Sequence, residues 1–321
     1  MKKIIVIAAM GLIGYSASAQ DIHFAQVKNM QKWYNSSLRN EDDERSLTLN
    51  FRSVSYKQLV AFKSVAALAD IPLVSKAARQ SEDKKGYFGV AGGFAVDQSN
   101  QGILRNTTAM IGVSYHLPID LKRETFISMG LQGSNFESRI NMNGVTTPDQ
   151  FDKYGMIPGS AANDPSTMGK VSFLSVNAGV SVSHSSANKA WYVGASARHI
   201  NRPQANLKGS EEYKLPATAG FQAGYRKTVG NDSYGTDVFT NFKAGAYEHV
   251  GSVYYNYVFD ATDFDGSIGA SVAYRYQDAI IPGLQMQMKK TILAFNYDMA
   301  VGKKKSGINR VAFEIGLKQV F

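Results

Sequence analysis

Hydrophobicity in this chain repeats with a period of two, segment after segment, and no other feature constrains its fold as strongly. Between 174 and 183, Leu174, Val176, Ala178, Val180 and Val182 share one face, and Ser175, Asn177, Gly179, Ser181 and Ser183 share the other. The pattern returns with Trp191, Val193, Ala195 and Ala197 against Tyr192, Gly194, Ser196 and Arg198. It returns again with Ala217, Ala219, Phe221, Ala223 and Tyr225 against Thr218, Gly220, Gln222, Gly224 and Arg226. Later segments set Ile268, Ala270, Val272, Tyr274 and Tyr276 against Gly269, Ser271, Ala273 and Arg275, and Leu293, Phe295, Tyr297 and Met299 against Ala294, Asn296 and Asp298. Successive side chains of a strand point to opposite sides, so each segment predicts a strand with one apolar and one polar face.

The chemistry of the two faces separates the candidate β folds. A soluble sandwich turns large polar groups to water and fills a tight core with branched aliphatics. Here the polar faces carry mostly Gly, Ser, Asn, Gln or Arg, and the apolar faces end in Tyr, Trp or Phe, as the aromatic girdles of membrane barrels do. The composition agrees, with 17 Tyr, 17 Phe and 29 Gly against only 8 Pro. The expectation is an all-β chain: a transmembrane antiparallel β-barrel of outer-membrane type.

Thirteen segments are visible, at about 47–57, 58–70, 86–97, 103–116, 124–139, 170–184, 190–202, 214–227, 235–245, 250–260, 266–277, 286–300 and 308–321. Bacterial single-chain barrels have even strand numbers, so one is missed or fused and the expected count is about 14. In the last segment Val311, Phe313, Ile315, Leu317 and Phe321 share the apolar face. An amphipathic final strand with a terminal aromatic resembles the assembly signal of outer-membrane proteins, which makes Phe321 the candidate assembly residue. Turn chemistry lies between segments, at 97–102, 230–233, 260–266 and 303–307. The longest irregular stretch, 141–169, contains Pro148, Pro158 and Pro165. Counted back from a periplasmic C-terminus over the visible strands it falls on the periplasmic side; one further strand reverses this, so the sequence leaves its side open.

Three regions are expected. Lys2 and Lys3, the apolar run from Ile4 to Gly14 and the small residues Ser16 to Ala19 read as a signal peptide over 1–19. The apolar run is about half of the roughly 20 residues that a helical span needs. Residues 20–45 do not alternate and form an N-terminal non-barrel segment, whose cluster from Glu41 to Arg45 reads as a solvated lead into the barrel. Residues 46–321 form the barrel. With no cysteine in the chain, a lipid thioether and a disulfide framework are both excluded.

The formal charge of +9 becomes about +7 without Lys2 and Lys3, and it is scattered rather than gathered into a stripe. Nucleic-acid binding is therefore not expected, and anionic outer-membrane lipid and lipopolysaccharide are the natural counterparts. The five histidines, His23, His116, His184, His199 and His249, do not assemble a recognisable catalytic or zinc-binding pattern. Ser183 and His184 are strand neighbours that point to opposite faces, so His184 reads as a polar residue at a strand end. Asp260, Asp263 and Asp265 lack the EF-hand spacing and read as a turn. No catalytic residue, metal ligand or cofactor is expected. Arg198, Arg226 and Arg275 fall on polar faces and are the candidate lumen-facing residues. They could bind an anion or a passing polypeptide, but pairing with acids such as Glu314 or Asp298 inside a plugged barrel is the favoured reading.

Several short motifs resemble one family. They are Tyr274-Arg275-Tyr276-Gln277-Asp278-Ala279, Asn296-Tyr297-Asp298 and Phe313-Glu314-Ile315 near the C-terminus, Asp21-Ile22-His23-Phe24-Ala25-Gln26 near the N-terminus, and Phe88-Gly89-Val90 to Asp97 with Ser114-Tyr115 between. The pattern is similar to that of the PorP/SprF family, outer-membrane proteins of Bacteroidetes linked to type IX secretion and, in some members, to gliding motility. Relatives carry an Asn-Pro-Ala-Leu-Ala-Gly type sequence where this chain reads Trp33-Tyr34-Asn35-Ser36-Ser37-Leu38, so the branch and its client stay open. The resemblance implies a component of the type IX system, with no catalytic residue, that binds, anchors or helps export a secreted surface protein. Its implied partners are a secreted adhesin or its C-terminal sorting domain and other type IX components. The alternative function is a small-solute, porin-like channel.

Overall fold

A strand in lipid must pair every backbone amide, and only a closed barrel does so without edges. The computed structural model describes residues 24–41, 43–56, 61–74, 85–99, 102–120, 122, 124–141, 148–160, 170–205, 213–261, 264–301 and 310–321. The expected signal peptide over 1–19, His23, Asp42, Asp263, the turn at 303–307 and much of 141–169 lie outside them.

The barrel strands are β1 (Ser46–Tyr56), β2 (Phe62–Leu73), β3 (Tyr87–Ser99), β4 (Leu104–Pro118), β5 (Thr125–Ile140), β8 (Lys170–Ser185) and β9 (Lys189–Arg198) in the first half. The second half comprises β10 (Thr218–Val229), β11 (Asp232–Lys243), β12 (Ala246–Ala261), β13 (Phe264–Arg275), β14 (Ala279–Met288), β15 (Thr291–Ala300) and β16 (Arg310–Val320). Two short strands, β6 (Phe151–Asp152) and β7 (Gly155–Met156), make a separate hairpin within the connection from β5 to β8. Each barrel strand pairs antiparallel with its neighbours in chain order, β5 pairs with β8, and β1 pairs with β16 from Ser46↔Val320 to Tyr56↔Arg310 to close a 14-strand barrel.

The strand hidden in the sequence is β14, which the alternation pattern had merged in part into 286–300. It contains Pro282 and Gly283, which ordinarily argue against a strand interior. Pro282 stands opposite Val272 of β13, whereas the ladder to β15 passes from Ile280↔Met299 to Gly283↔Asn296, a break where a residue without an N–H is accommodated. Elsewhere the expected segments differ at their ends. β9 stops at Arg198 because His199 (φ 55°) and Arg202 (φ 43°) turn the chain away, and β10 begins only at Thr218.

The outer wall is apolar, with Ile111, Leu131, Leu174 and Leu284 all more than 60 % exposed. Exposed aromatics gather toward both rims: Phe88, Tyr225, Tyr234, Tyr257 and Phe259 at one, Phe242, Tyr247, Tyr274, Tyr276 and Tyr297 at the other. That is the arrangement of two interfacial girdles around a lipid-facing band. The rim holding Ser46 and Val320 carries short connections at 119–124, 186–188, 230–231 and 289–290 and a longer one at 74–86. The longest, 141–169 and 199–217, both leave the opposite rim. Short turns mark the periplasmic side. The stretch 141–169 is therefore extracellular, the outcome that the fourteenth strand brings about.

Candidate functional site

Residues 24–41 lack the alternation of a strand, and they do not lead into the barrel through solvent: they fold up inside it. Val27–Met30 form a 3-10 turn that continues into one helical turn, Gln31–Tyr34. Phe24, Met30, Trp33 and Tyr34 from this plug pack against inward-facing Ala66 and Leu68 of β2, Ala91 and Ala95 of β3, Met110 of β4, Phe239 of β11, Val250 of β12 and Ile281 of β14. The ring of Phe24 meets Trp33 edge-on at 5.8 Å, and that of Tyr34 meets Phe239 at 4.6 Å. Each such side chain withdrawn from water contributes roughly 1.5–3 kcal/mol. The lumen thus holds a hydrophobic core.

The glycines of the polar faces make room for this plug. A Cβ on Gly130 of β5 would lie 2.6 Å from Ser36 Oγ and 2.7 Å from the backbone of Ser36 and Ser37. On Gly179 of β8 it would meet the side chain of Asn35, and on Gly316 of β16 that of Gln26. Polar groups then lock the seated segment. Asn35 Nδ2 donates to Gln222 Oε1 at 2.9 Å, and Ser181 Oγ donates to the Ser37 carbonyl at 3.0 Å. Lys32 Nζ donates to Ser114 Oγ at 3.2 Å and lies 3.8 Å from Asp70.

Among the described residues of the acidic cluster 41–45, Glu41, Asp43 and Glu44 are bound rather than solvated. Glu41 pairs with Arg226 at 2.7 Å and lies 4.0 Å from Lys28; Asp43 pairs with Arg39 at 2.7 Å and accepts from the Tyr87 hydroxyl; Glu44 lies 3.5 Å from Lys290. Runs of acids are normally hydrated, but here fixed cations on the plug and barrel supply the counter-charges. Burial alone would lower the Lys28 ammonium, yet Asp237 and Glu41 beside it push it up to about 12.

Glu314 of β16 anchors the other end of the plug. Fully buried, it accepts from the backbone N–H of Ala25 at 2.6 Å and of Gln26 at 2.9 Å, and from Asn50 Nδ2 at 2.8 Å. Gln has a single, uncharged acceptor oxygen and places an NH2 donor at the other position, where only donors converge. Glu314→Gln is therefore expected to loosen the anchor by about 1–3 kcal/mol. The change should appear as faster amide exchange at 25–30, with the strand amides unaffected; equal protection in both proteins would refute the anchoring role.

Toward the extracellular rim, the inner wall of β12–β16 and β1 carries a charged network. Asp298 of β15 lies 2.9 Å from Arg310, 3.1 Å from Arg275 and 3.4 Å from Arg52. Asp278, in the turn after β13, pairs with Arg310 at 2.7 Å and Arg275 at 2.9 Å, and Glu248 lies 3.6 Å from Arg275. Burial pushes the Asp278 carboxyl up, but the donating Arg310 and Arg275 outweigh it and hold it at about 2, below its ordinary 3.8. Because the folded value lies below the unfolded one, this stabilisation is complete above about pH 4 and is lost as pH falls toward 2. The thermal midpoint of the barrel is accordingly expected to be flat above pH 5 and to drop below pH 4, and the drop should shrink in Asp278→Asn.

On the opposite side of the same rim, Leu215 from the 199–217 connection is wholly buried against Phe136 and Phe173. Between the plug and the wall formed by β10–β16, a cavity of about 480 Å³ remains, reaching Glu44, Ser46 and Val320 at the periplasmic rim.

The structure turns all three arginines noted in the sequence inward, into separate surroundings. Arg275 joins Asp298 in the network, Arg226 holds Glu41 of the plug, and Arg198 is buried on β9 opposite Thr218. Glu314 contacts the plug backbone rather than any of them. His184 is the penultimate residue of β8, with Nδ1 3.1 Å from Thr125 Oγ1 and its ring stacked on Trp191. Asp120, Glu124 and His184 bring ligand-type atoms within 4.8 Å of one another, but Asp120 already accepts from Thr125 N, Thr125 Oγ1 and Glu124 N as a turn clasp. Phe321 is 63 % exposed at the end of β16, and its N–H donates to the Arg45 carbonyl at 2.9 Å. The plug itself carried no periodic trace in the sequence, although its non-strand composition and the glycines facing it were in view.

The family model described as type IX secretion system membrane protein PorP/SprF matches residues 16–318. No curated protein sequence matches the chain. Among solved structures the barrel is similar to the CymD monoaromatic hydrocarbon channel, with 10 % identity and a TM-score of 0.50 over 88 % of this chain and 89 % of that one. It is also similar to the TodX monoaromatic hydrocarbon channel deltaS2 mutant, with 8 % identity and a TM-score of 0.51 over 87 % and 90 %. A Pseudomonas aeruginosa FadL homologue matches with 10 % identity and a TM-score of 0.49 over 87 % and 90 %. At such identities the likeness is one of fold alone.

Proposed function

The chain belongs to the PorP/SprF family of type IX secretion system membrane proteins, and from that premise we propose that it binds, anchors or helps export a secreted surface protein at the outer membrane. The observation that carries this reading is the built-in plug. A solute channel needs a continuous wet path, whereas here Trp33, Met30 and Tyr34 occupy the lumen in a glycine-lined seat. That arrangement favours a platform for protein partners over the small-solute channel, even though the similar barrels are channels by name.

The partners that fit are a secreted adhesin or its C-terminal sorting domain and other type IX components, with lipopolysaccharide around the outer wall. The extracellular connections 141–169 and 199–217 offer the surface for the first of these. As part of the same reading, Phe321 serves as the assembly signal and 1–19 as the leader. Gentle detergent extraction of the tagged native protein, followed by mass spectrometry, tests the proposal. A secreted surface protein or type IX components should be retained across detergents. Recovery of the barrel alone, together with stable conductance in planar bilayers, would transfer the assignment to a channel.

A further inference from the structure

The cavity beside the plug has an unusual wall. Along adjacent strands β12–β15, Asn256, Ser267, Ser271, Gln285 and Asn296 line it, and among the described residues their side chains hydrogen-bond to nothing. Other polar groups around the cavity are engaged: Arg226 with Glu41, Lys28 with Tyr254 Oη at 2.9 Å, and Tyr192 Oη with Asp237 at 2.9 Å. What is left over is a neutral field of amides and hydroxyls able both to donate and to accept.

That chemistry selects an occupant class. Polyanions find the cations that line the cavity already engaged, Arg226 and Lys28 by Glu41, Arg39 by Asp43, and Lys318 as well, and apolar ligands would leave the amides desolvated without partners. At about 480 Å³ the cavity has the size of a small-ligand pocket, too small for a folded domain. Sugars are usually held by a bare aromatic face as well as hydroxyls, but the ring of Tyr254 is covered by the Lys28 ammonium at 4.2 Å from its centroid, and the rings of Tyr34 and Phe239 are buried against each other. An extended polypeptide presents alternating N–H and C=O groups that side-chain amides match directly.

We propose that this cavity is a periplasm-facing binding site for a short extended segment of a polypeptide, held through its backbone by Asn256, Gln285 and Asn296 against the plug. The inference rests on the protein-handling reading above and adds a second place to it: apart from the surface that the extracellular connections offer, a segment enters from the periplasmic rim, between the plug and the wall.

The test is site-specific photo-crosslinking in intact cells, with p-benzoylphenylalanine at position 285 in the cavity and, separately, at position 154 on the exposed hairpin. The expected result is an adduct at 285 that maps by peptide sequencing to one short segment of a secreted or periplasmic protein. In addition, the triple variant Asn256→Leu, Gln285→Leu, Asn296→Leu should retain that protein at least about tenfold less well while keeping the gel shift of a folded barrel. Co-purification of a client that crosslinks from 154 but never from 285 overturns the cavity assignment and leaves the protein-handling reading standing. A glycan adduct at 285 overturns the polypeptide assignment. If no protein is retained in either assay, the functional reading falls, and this inference with it.

Discussion

Barrels carrying Gly130→Val together with Gly179→Val are expected to conduct ions in planar bilayers where the parent protein stays closed. The valine methyls on β5 would have to occupy the space of the Ser36 and Ser37 backbone, which cannot swing aside as a long side chain does. On β8 the second substitution displaces Asn35, whose amide is held by Gln222 and whose oxygen accepts from Ser37 N and Oγ. Overpacking costs about 1–3 kcal/mol at each site, directed at the contact between plug and wall and not at the strand ladders. The barrel should therefore keep its heat-modifiable migration while segment 24–41 becomes susceptible to protease added to the detergent-solubilised protein. Gly133→Val is the control, because a Cβ there meets nothing within 4 Å. A closed double variant with a protected N-terminal segment would show that these glycines do not hold the plug.

Asp298→Ala should have the largest effect on stability. It removes the acid shared by Arg52, Arg275 and Arg310, leaving three guanidiniums with Asp278 and Glu248 as the remaining nearby counter-charges. Breaking a buried ion pair by deleting one partner typically costs 3–5 kcal/mol, and here the deleted partner serves three. The expected outcome is a steep loss of the folded, heat-modifiable form in outer membranes. Asp298→Asn, which keeps acceptor capacity, should fall between the two. Adding Arg310→Leu to Asp298→Ala should recover part of the loss, because it removes one uncompensated charge; strictly additive costs would mean the groups are not coupled.

The residues of these two experiments differ in how legible their roles are in the sequence. Asp298 and Arg275 could be named as partners because both sit on polar faces of strands whose alternation is plain, and Tyr274–Ala279 and Asn296–Asp298 are the stretches that resemble the family. Gly130 and Gly179 could be seen only as small residues on an inner face. Their purpose depends on Ser36 and Asn35, far away in the chain and in a segment with no periodicity. The pairing of Glu41 and Glu44 is illegible in the sequence for the same reason: their counter-charges, Arg226 and Lys290, arrive from β10 and from the turn before β15.

The sequence by itself determined the barrel, its approximate strand number and which side chains face lipid, because a membrane strand imposes its physics residue by residue: apolar outward, polar inward, turns between. It concealed β14, since Pro282 and Gly283 break a local rule that the closed ladder tolerates. Only the tertiary structure decided that the lumen is filled. Gln26 meets Glu314 across 288 positions of chain, and contacts of that kind depend on closure of the whole wall, which no local pattern records. The side of the 141–169 connection and the neutral cavity beside the plug follow from that closure too, the first through the parity of the strands and the second through the space that plug and wall leave between them.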